Sequence, residues 1–419
     1  MSAAMLRGRA NGSVSAAAVQ RCASAAVLAT LRLAETRRFA HVHTAPVHCL
    51  ALEKTAGRLL LSAGADTSIQ MYDLDGAQET GPHSTRQIAP VHRVAAGAGH
   101  TRLVSSAEWY CVDAGMFSTG SFDGTVRVWD AGAMVEACRF DMEARVYSQH
   151  MSATGIHTLI AVADESAHIR LCDLTAGSFA QSIFADEGGN TAVAWSPTSP
   201  FLLATGGRSG SVRLWDIRRP DTQLHSLKSN ITGPRRAASS TAVGGMLFTG
   251  DGSCVLSVGQ DRRMRVWSVD NVDYAPWAEE VSTPHCHHHY AADTRGDRAT
   301  HSATPAAALA AAAAAPPLLG PVNMAVTSAT DATTLGSDVL FVPNGDTTVA
   351  AVDAASGRRL ALLDGHFGPT TCAVWRASSL ELFTSGADAD ILVWRPPALE
   401  QLSEAQQALQ TDCWSDDCE

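Results

Sequence analysis

Apolar and polar residues alternate with a period of two over many short stretches of this chain, which is the pattern of β-strands that bury one face. The clearest case is 203–219 (LATGGRSGSVRLWDIRR), where Val212 and Leu214 alternate with polar residues after a tight Gly/Ser turn. This stretch predicts two strands joined by a turn, the second ending at Trp215 and Asp216. Similar strand ends recur at 71–73 (MYD), 128–130 (VWD), 171–173 (LCD), 266–268 (VWS) and 393–395 (VWR).

The strand ends repeat at a regular interval. Trp129 and Cys172 are 43 residues apart, Cys172 and Trp215 are also 43 apart, and Val352 and Trp394 are 42 apart. An interval of about 40–45 residues is that of one four-stranded propeller blade, which needs neighbouring blades to complete its core. Because Val352 closes a weaker sixth repeat, there are seven ends. They predict an all-β fold, a seven-bladed WD40 β-propeller with a short N-terminal helical arm.

Two segments precede the predicted propeller. Residues 1–23 are rich in Ala, Ser and Arg and contain no acidic residue. We interpret them as a disordered extension, with an organelle transit peptide as the alternative. Residues 24–38 predict an amphipathic helix with Val27, Leu28 and Leu31 on one face. This helical arm either packs on the rim of the propeller or is offered to a partner.

The last repeat lacks an outer strand. It ends at Trp394 and runs into Pro396 and Pro397, which cannot donate ladder hydrogen bonds. We expect the segment around Phe39 to supply the missing strand. The two ends of a propeller spanning 39–396 would then close the ring and remove an exposed sheet edge.

Low-complexity sequence interrupts the propeller over 270–323 and includes HCHHHY at 285–290 and an alanine run. We interpret this segment as a loop insertion with little to bury. Clustered imidazoles can bind zinc, but this cluster has no spaced partner ligands, and we predict neither a metal site nor a cofactor. The segment 397–419 predicts a helical and acidic tail.

Composition narrows the possible functions. The formal net charge of −11 argues against a protein that grips nucleic acid by neutralising phosphates. No apolar run approaches the roughly 18 residues of a membrane span. The ten cysteines never form CxxC, and Cys49, Cys172 and Cys372 fall within strand patterns. They predict buried thiols in a reducing compartment.

His, Ser or Thr, and Asp recur together in several repeats. These are the residue types of a hydrolytic triad, but a triad is needed only once. Here the Asp also precedes a strand-end Trp or Tyr by six residues in four repeats. We therefore predict structural hydrogen-bond networks and no catalytic residue. The predicted network residues are His100, Thr119, Asp123, Trp129, Asp261, Trp267, His366, Ser385, Asp388 and Trp394.

Two arginines, Arg218 and Arg219, follow the strand end at Trp215. A guanidinium presented at the rim of the ring is suited to bidentate contacts with a partner protein. Pairing of the arginine within its own blade is an equal alternative.

The run ATGG at 204–207, followed by Trp-Asp-x-Arg at 215–218, resembles a known docking box. WD-repeat substrate receptors use that box to bind the damage-specific DNA-binding adaptor of cullin-4 RING ubiquitin ligases. Ser209 departs from the box, which usually has an acid there. Longer segments resemble the Cockayne syndrome group A family of WD-repeat proteins, in which Cys172 also replaces tryptophan. These segments include GRLLLSAGADTSIQMYDLD, DAGMFSTGSFDGTVRVWD, LSVGQDRRMRVW and LLDGHFGPTTCAVW.

This resemblance implies a non-enzymatic substrate-recognition subunit of a cullin-4 RING E3 ubiquitin ligase, acting in transcription-coupled nucleotide excision repair of DNA damage in the nucleus. The implied partners are the adaptor with its cullin-4 RING ligase, stalled RNA polymerase II, a Cockayne syndrome B-type ATPase and the UV-stimulated scaffold protein. Neither sequence-specific nucleic-acid binding nor membrane association is expected. A generic WD40 scaffold in another nuclear complex is the alternative. The residues expected to bind the adaptor are Trp215, Asp216, Arg218, Arg219, Val27, Leu28 and Leu31.

Overall fold

Seven antiparallel sheets of four strands each surround a central channel. The computed structural model describes residues 27–34, 37–40, 42–76, 78–79, 86–227, 242–260, 263–269, 290–291, 322–327, 339–353 and 359–397. These residues form the seven-bladed β-propeller that the repeat interval predicts.

The strands of each blade run from the channel outward in chain order, except that blade 7 takes its outer strand from the N-terminal segment. Blades 1 and 2 contain Val47–Leu52, Leu59–Gly64, Ile69–Asp73 and Pro90–Val94, then Val104–Trp109, Met116–Ser121, Thr125–Asp130 and Val135–Asp141. Blades 3 and 4 contain Val146–Met151, Leu159–Asp164, His168–Asp173 and Ser178–Phe184, then Asn190–Trp195, Leu202–Gly207, Val212–Asp216 and Gln223–Leu227. Blades 5 and 6 contain Val243–Phe248, Cys254–Gly259, Arg263–Ser268 and Tyr290–Ala291, then Ala325–Val326, Val339–Pro343, Thr348–Asp353 and Arg359–Asp364. Blade 7 contains Thr370–Arg376, Glu381–Gly386, Ile391–Arg395 and Arg32–Leu33.

The turns between strands alternate between two faces of the ring. We call the lower face the one that carries the turns from the first to the second strand and from the third to the fourth strand of each blade. The upper face carries the turn from the second to the third strand and the connection to the next blade.

The core consists of seven apolar clusters, one between each pair of neighbouring blades. Close approach of the blades requires small residues at the ends of the second strands. A Cβ on Gly120, for example, would lie 2.7 Å from Cγ1 of Val146 in the next blade. The strand-end tryptophans pack against the preceding blade, and these are Trp129, Trp215, Trp267 and Trp394.

The ends of the chain close the ring, but the prediction that the segment around Phe39 supplies the outer strand of blade 7 is wrong. Arg32–Leu33 pairs antiparallel with Ile391–Arg395, and the Ala34 amide donates to the Val393 carbonyl over 2.8 Å. The propeller therefore begins before residue 39.

Phe39 instead lies where blades 7 and 1 meet. Its ring packs edge-on against Tyr72 of blade 1, at a centroid distance of 4.9 Å, and against Phe383 of blade 7, at 6.0 Å. It belongs to a small separate sheet made of Arg37–Phe39, Arg86–Ile88 and Gln78–Glu79. Packing of its partly buried ring against Tyr72 and Phe383 keeps Phe39 at the junction of the two blades.

The helix predicted over 24–38 is also not formed as expected. Within the described part of this segment, only Val27 and Leu28 are helical; a turn follows at 29–30 and strands at 32–33 and 37–38. The backbone groups of Arg32 and Leu33 pair with blade 7, so they are not available for helix hydrogen bonds. Residues 1–23 and 398–419, and nearly all of 270–323 with its histidine cluster, lie outside the described residues.

Candidate partner-docking surface

The strand end at Trp215 and Asp216 forms a rigid turn on the lower face of blade 4. The buried indole of Trp215 donates to the Thr205 hydroxyl over 2.9 Å, which fixes the strand end against its neighbour. The Asp216 carboxylate then accepts hydrogen bonds from the Arg218 amide at 3.0 Å and from the Arg218 guanidinium at 2.6–2.9 Å. Those bonds hold the pKa of Asp216 below its usual range.

Arg218 is held in place but stays accessible. Its guanidinium lies 4.4 Å from the centroid of the Phe201 ring, a cation–π contact, and its side chain remains 63% exposed. Arg219 is exposed next to it. The two interpretations of Arg218 are compatible in this geometry, because the intra-blade pair with Asp216 uses Nε and one Nη and leaves the outer face of the guanidinium open. A preordered arginine loses less entropy when it binds a partner.

The acid missing at Ser209 is supplied from another position. Asp186, in the connection between blades 3 and 4, accepts hydrogen bonds from the Ser209 amide at 3.0 Å and hydroxyl at 2.7 Å. The carboxylate therefore belongs to Asp186 instead of residue 209, and its hydrogen bonds still hold the turn at Ser209 against the connection between blades 3 and 4. Gly207 leaves room for the Asp186 carboxylate, because a Cβ at position 207 would lie 1.9 Å from Asp186 Oδ2.

Blade 2 contains the complete predicted network. The Trp129 indole donates to the Thr119 hydroxyl over 2.8 Å, and that hydroxyl lies 2.8 Å from His100 Nε2. His100 Nδ1 lies 3.0 Å from the Asp123 carboxylate. Because the indole can only donate, the hydroxyl hydrogen is free for Nε2, and Nδ1–H points to Asp123. His100 and Thr119 are fully buried, so this set braces the blade and is closed to a substrate.

Blade 7 repeats the network with one correction: Thr384 replaces the predicted Ser385. The Thr384 hydroxyl lies 2.8 Å from His366 Nε2 and accepts from the Trp394 indole over 2.8 Å, and His366 Nδ1 lies 2.8 Å from Asp388. Ser385 is one residue further along the strand, so its side chain points to the other face, where its hydroxyl has no partner. In blade 5 the Trp267 indole donates to Ser257 over 3.0 Å, while Asp261 lies outside the described residues.

Blade 1 contains a third network, whose residues were not among those predicted. His43 lies 2.8 Å from both Asp66 and the Ser62 hydroxyl, whereas Tyr72, in the tryptophan position, donates to Gln70 instead. Two spacings mark it in the sequence, since Asp66 lies six residues and Ser62 ten residues before Tyr72. The interval of ten residues also identifies the hydroxyl in the other blades, where it lies ten residues before Trp129, Trp215, Trp267 and Trp394.

Exchanging the two adjacent hydroxyls of blade 7 should separate their roles. Thr384→Val removes the hydroxyl that bridges His366 and Trp394 and leaves His366 Nε2 and the Trp394 indole N–H unpaired, which should lower the free energy of unfolding by about 1–3 kcal/mol. Ser385→Ala removes a hydroxyl without a partner and should change it by less than about 0.5 kcal/mol. Urea unfolding followed by tryptophan fluorescence measures both, and equal losses would contradict the assignment of Thr384.

Acid should weaken the networks in a defined pH range. Burial would raise the pKa of Asp66, but hydrogen bonds from His43 and Ser68 outweigh it and lower the pKa from 3.8 to about 2. The pKa values of Asp123 and Asp388 are lowered for the same reasons. A carboxyl whose pKa is lower in the folded state stabilises the fold above its unfolded pKa, so stability should fall from about pH 4 to about pH 2. In Asp66→Asn, urea unfolding at several pH values should show a shallower loss over this range; an unchanged slope would contradict the prediction.

The three residues of the N-terminal arm that were predicted to bind the adaptor differ in their exposure. Leu28 and Leu31 are buried in the cluster between blades 6 and 7, together with Phe341, Trp375 and Trp394. Their assignment to adaptor binding is therefore wrong, because they pack inside the ring and cannot reach a partner. Val27, also predicted to bind the adaptor, is 39% exposed.

A belt of polar contacts, which the sequence did not indicate, joins the inner strands of blades 1–4 near the lower face. Lys54 Nζ lies 2.5 Å from Glu108 Oε1, and the Met151 amide donates to Glu108 Oε2 over 2.7 Å. His150 Nε2 lies 3.6 Å from the same carboxylate, and its Nδ1 accepts from the Trp195 amide over 3.1 Å. Burial would raise the pKa of Glu108, but His150 and Lys54 outweigh it and lower the pKa. The belt fixes neighbouring inner strands relative to one another.

The remaining sequence predictions concern the cysteines, metal ligands and membrane-spanning segments. Cys49, Cys172 and Cys372 are buried free thiols, as predicted, and burial raises the pKa values of Cys172 and Cys372 to about 12. Among the described residues, no cluster of three or more metal-ligating side chains is present, and no helix is long and apolar enough to span a membrane.

Comparison with known sequences agrees with this architecture. The profile of the WD domain, G-beta repeat, matches residues 92–130 and 189–216. The chain therefore contains WD repeats and folds as a seven-bladed propeller. Among its relatives, WD repeat-containing protein ATCSA-1 of Arabidopsis thaliana is 26% identical over 92% of this chain and 94% of its own length.

Other relatives match shorter parts of the chain. Radiation-sensitive protein 28 of Saccharomyces cerevisiae is 22% identical over 53% of this chain and 49% of its own length. Ribosome biogenesis protein YTM1 of Coccidioides immitis is 31% identical over 44% of this chain and 39% of its own length.

Proposed function

We propose that this chain is the non-catalytic substrate receptor of a cullin-4 RING ubiquitin ligase in transcription-coupled nucleotide excision repair. The observation that carries the proposal is Arg218, held by Asp216 over the Phe201 ring and still largely exposed at the end of a Trp-Asp-x-Arg turn. This arrangement suits docking on an acidic site of the damage-specific DNA-binding adaptor. Likeness to ATCSA-1 over 92% of the chain also supports it.

In this role the chain contributes proximity and orientation. The ligase transfers ubiquitin elsewhere in the assembly, while the propeller holds the adaptor on one face and presents a target from another. The proposed targets and partners are stalled RNA polymerase II, a Cockayne syndrome B-type ATPase and the UV-stimulated scaffold protein, and the proposed location is the nucleus. The burial of the His100 and Thr119 set supports a structural role for the triad-like residues.

Co-purification from nuclear extract tests the proposal. The wild-type chain should recover the adaptor and the cullin, and Arg218→Ala should reduce their recovery by about tenfold while the thermal unfolding curve stays unchanged. Arg139→Ala, an exposed arginine on the outer strand of blade 2, is the matched control and should recover both proteins normally. Equal recovery by Arg218→Ala would contradict the docking role of this turn.

A scaffold in another nuclear complex is the second candidate, favoured by the partial similarity to ribosome biogenesis protein YTM1. The same co-purification separates the two proposals. Recovery of ribosome-assembly proteins without the adaptor or cullin would support the scaffold.

A further inference from the structure

The lower face of blades 2–4 carries an exposed apolar strip that leads to Arg218. Val112 and Ile156, on the first-to-second strand turns of blades 2 and 3, are 56% and 68% exposed. They lie on adjoining turns, because a Cβ built on Gly155 would come within 3.2 Å of Val112 Cγ2. Phe201, which is partly exposed, continues the strip on the corresponding turn of blade 4 and carries Arg218 above its ring. We call the surface formed by Val112, Ile156 and Phe201 the apolar ridge.

The turns under the ridge are tied to one another. His157 Nε2 donates to the Pro200 carbonyl over 2.7 Å, which joins the turn of blade 3 to the turn of blade 4. The His157 ring also packs against Trp195, at a centroid distance of 4.9 Å. A surface fixed in this way loses little conformational entropy when a partner covers it.

Charge is distributed unevenly over the lower face. The turns at 152–158 (SATGIHT) and 196–201 (SPTSPF) contain no Asp, Glu, Lys or Arg, and the turn at 110–115 (YCVDAG) contains Asp113 alone. The equivalent turns at 53–58 (EKTAGR) and 376–381 (RASSLE) contain three and two charged residues. Depletion of charge at the centre, with an arginine beside it, is the composition of a protein–protein interface. The two uncharged turns, those of blades 3 and 4, lie on the side of the lower face that carries Arg218 and Arg219.

We propose that the apolar ridge is part of the adaptor-docking surface, so that one partner covers Val112, Ile156, Phe201 and Arg218 together. This inference rests on the proposed function. The inference adds that the adaptor has an apolar groove that covers the ridge, with an acidic group at the end of the groove that faces Arg218. Ile156, the most exposed residue of the ridge, would be the apolar anchor, and Arg218 would be the charged one.

Affinity measured by biolayer interferometry between the full chain and the purified adaptor tests the ridge. Ile156→Asp and Ile156→Arg should each weaken binding by about tenfold or more, because either charge would be buried in the apolar groove. Val112→Asp should act in the same direction, and Arg218→Glu should weaken binding independently. Phe367→Asp, which changes an apolar side chain 93% exposed on the upper face, is the matched control and should bind like wild type.

The outcomes distinguish the two proposals. If the wild-type chain binds, Arg218→Glu weakens binding and both Ile156 variants bind like wild type, the ridge is not covered and the inference is overturned, while the proposed function stands. If opposite charges at Ile156 have opposite effects, the contact is electrostatic and the apolar groove is wrong. If the wild-type chain does not bind the adaptor at all, the proposed function itself fails. Because Ile156 is exposed, unchanged thermal unfolding of its variants confirms that a loss of binding reports the contact.

Discussion

Glu381→Ala is expected to lower the free energy of unfolding by about 3–5 kcal/mol, the largest single effect we predict. The Glu381 carboxylate is fully buried and pairs with three guanidinium groups. Arg395 Nε lies 2.6 Å away and Arg376 Nη1 3.2 Å away, and Arg37 from the N-terminal segment forms the third pair. Without the carboxylate, two buried guanidinium groups and the partly buried one of Arg395 would face one another.

This cluster joins the two ends of the chain. Arg37 also donates to the Leu74 carbonyl of blade 1, and Arg376 reaches Asp75 at 2.7 Å, so a single carboxylate of blade 7 organises contacts to the N-terminal segment and to blade 1. Burial would raise the pKa of Glu381, but Arg37 and Arg395 outweigh it and lower the pKa, which keeps the group charged.

Urea unfolding of Glu381→Ala measures the effect, with Glu165→Ala as the matched control. Glu165 also lies between two arginines, 3.5 Å from Arg208 and 3.9 Å from Arg145, but it is 41% exposed. Its removal should cost at most about 1 kcal/mol, since water replaces an exposed partner. A comparable loss in the two variants would show that the buried cluster does not hold the junction.

The second large effect is expected at Leu28. Leu28→Ala should lower the free energy of unfolding by about 2–5 kcal/mol, because the side chain is fully buried between blades 6 and 7 and its removal leaves a cavity. Val27→Ala, at the adjacent and partly exposed position, should change the free energy of unfolding by less than about 0.5 kcal/mol.

Thermal unfolding and adaptor binding should be measured together for these two variants. We expect Leu28→Ala to bind the adaptor with wild-type affinity at temperatures where it remains folded. A folded Leu28→Ala that loses adaptor binding would restore the original assignment of Leu28 to the adaptor.

The sequence predicted the blades because each blade buries the same positions. Alternation of apolar residues and the intervals of 42 and 43 residues depend only on local structure and on the repeat, so seven sheets follow from them. The exposed position of Arg218 also follows locally, since it comes two residues after a strand end.

Features that depend on distant pairing could not be predicted in the same way. Arg32–Leu33 is only two residues long and has no alternation that marks it as a strand; its partner lies at the other end of the chain. The prediction of Ser385 in place of Thr384 was wrong by one residue, and adjacent side chains of a strand point to opposite faces of the sheet. The contacts of Glu108 come from blades 1 and 3, and His150 extends them to blade 4; no local pattern brings Lys54, His150 and Trp195 together.

Docking of this chain on the adaptor through Arg218 is tested by the mass of the species formed when the purified full chain is mixed with the purified adaptor, determined by size-exclusion chromatography with light scattering. We expect a complex with one copy of each protein, which Arg218→Glu disrupts without altering the mass or the unfolding of the isolated chain. Elution of two separate species by the wild-type proteins at micromolar concentration would contradict it.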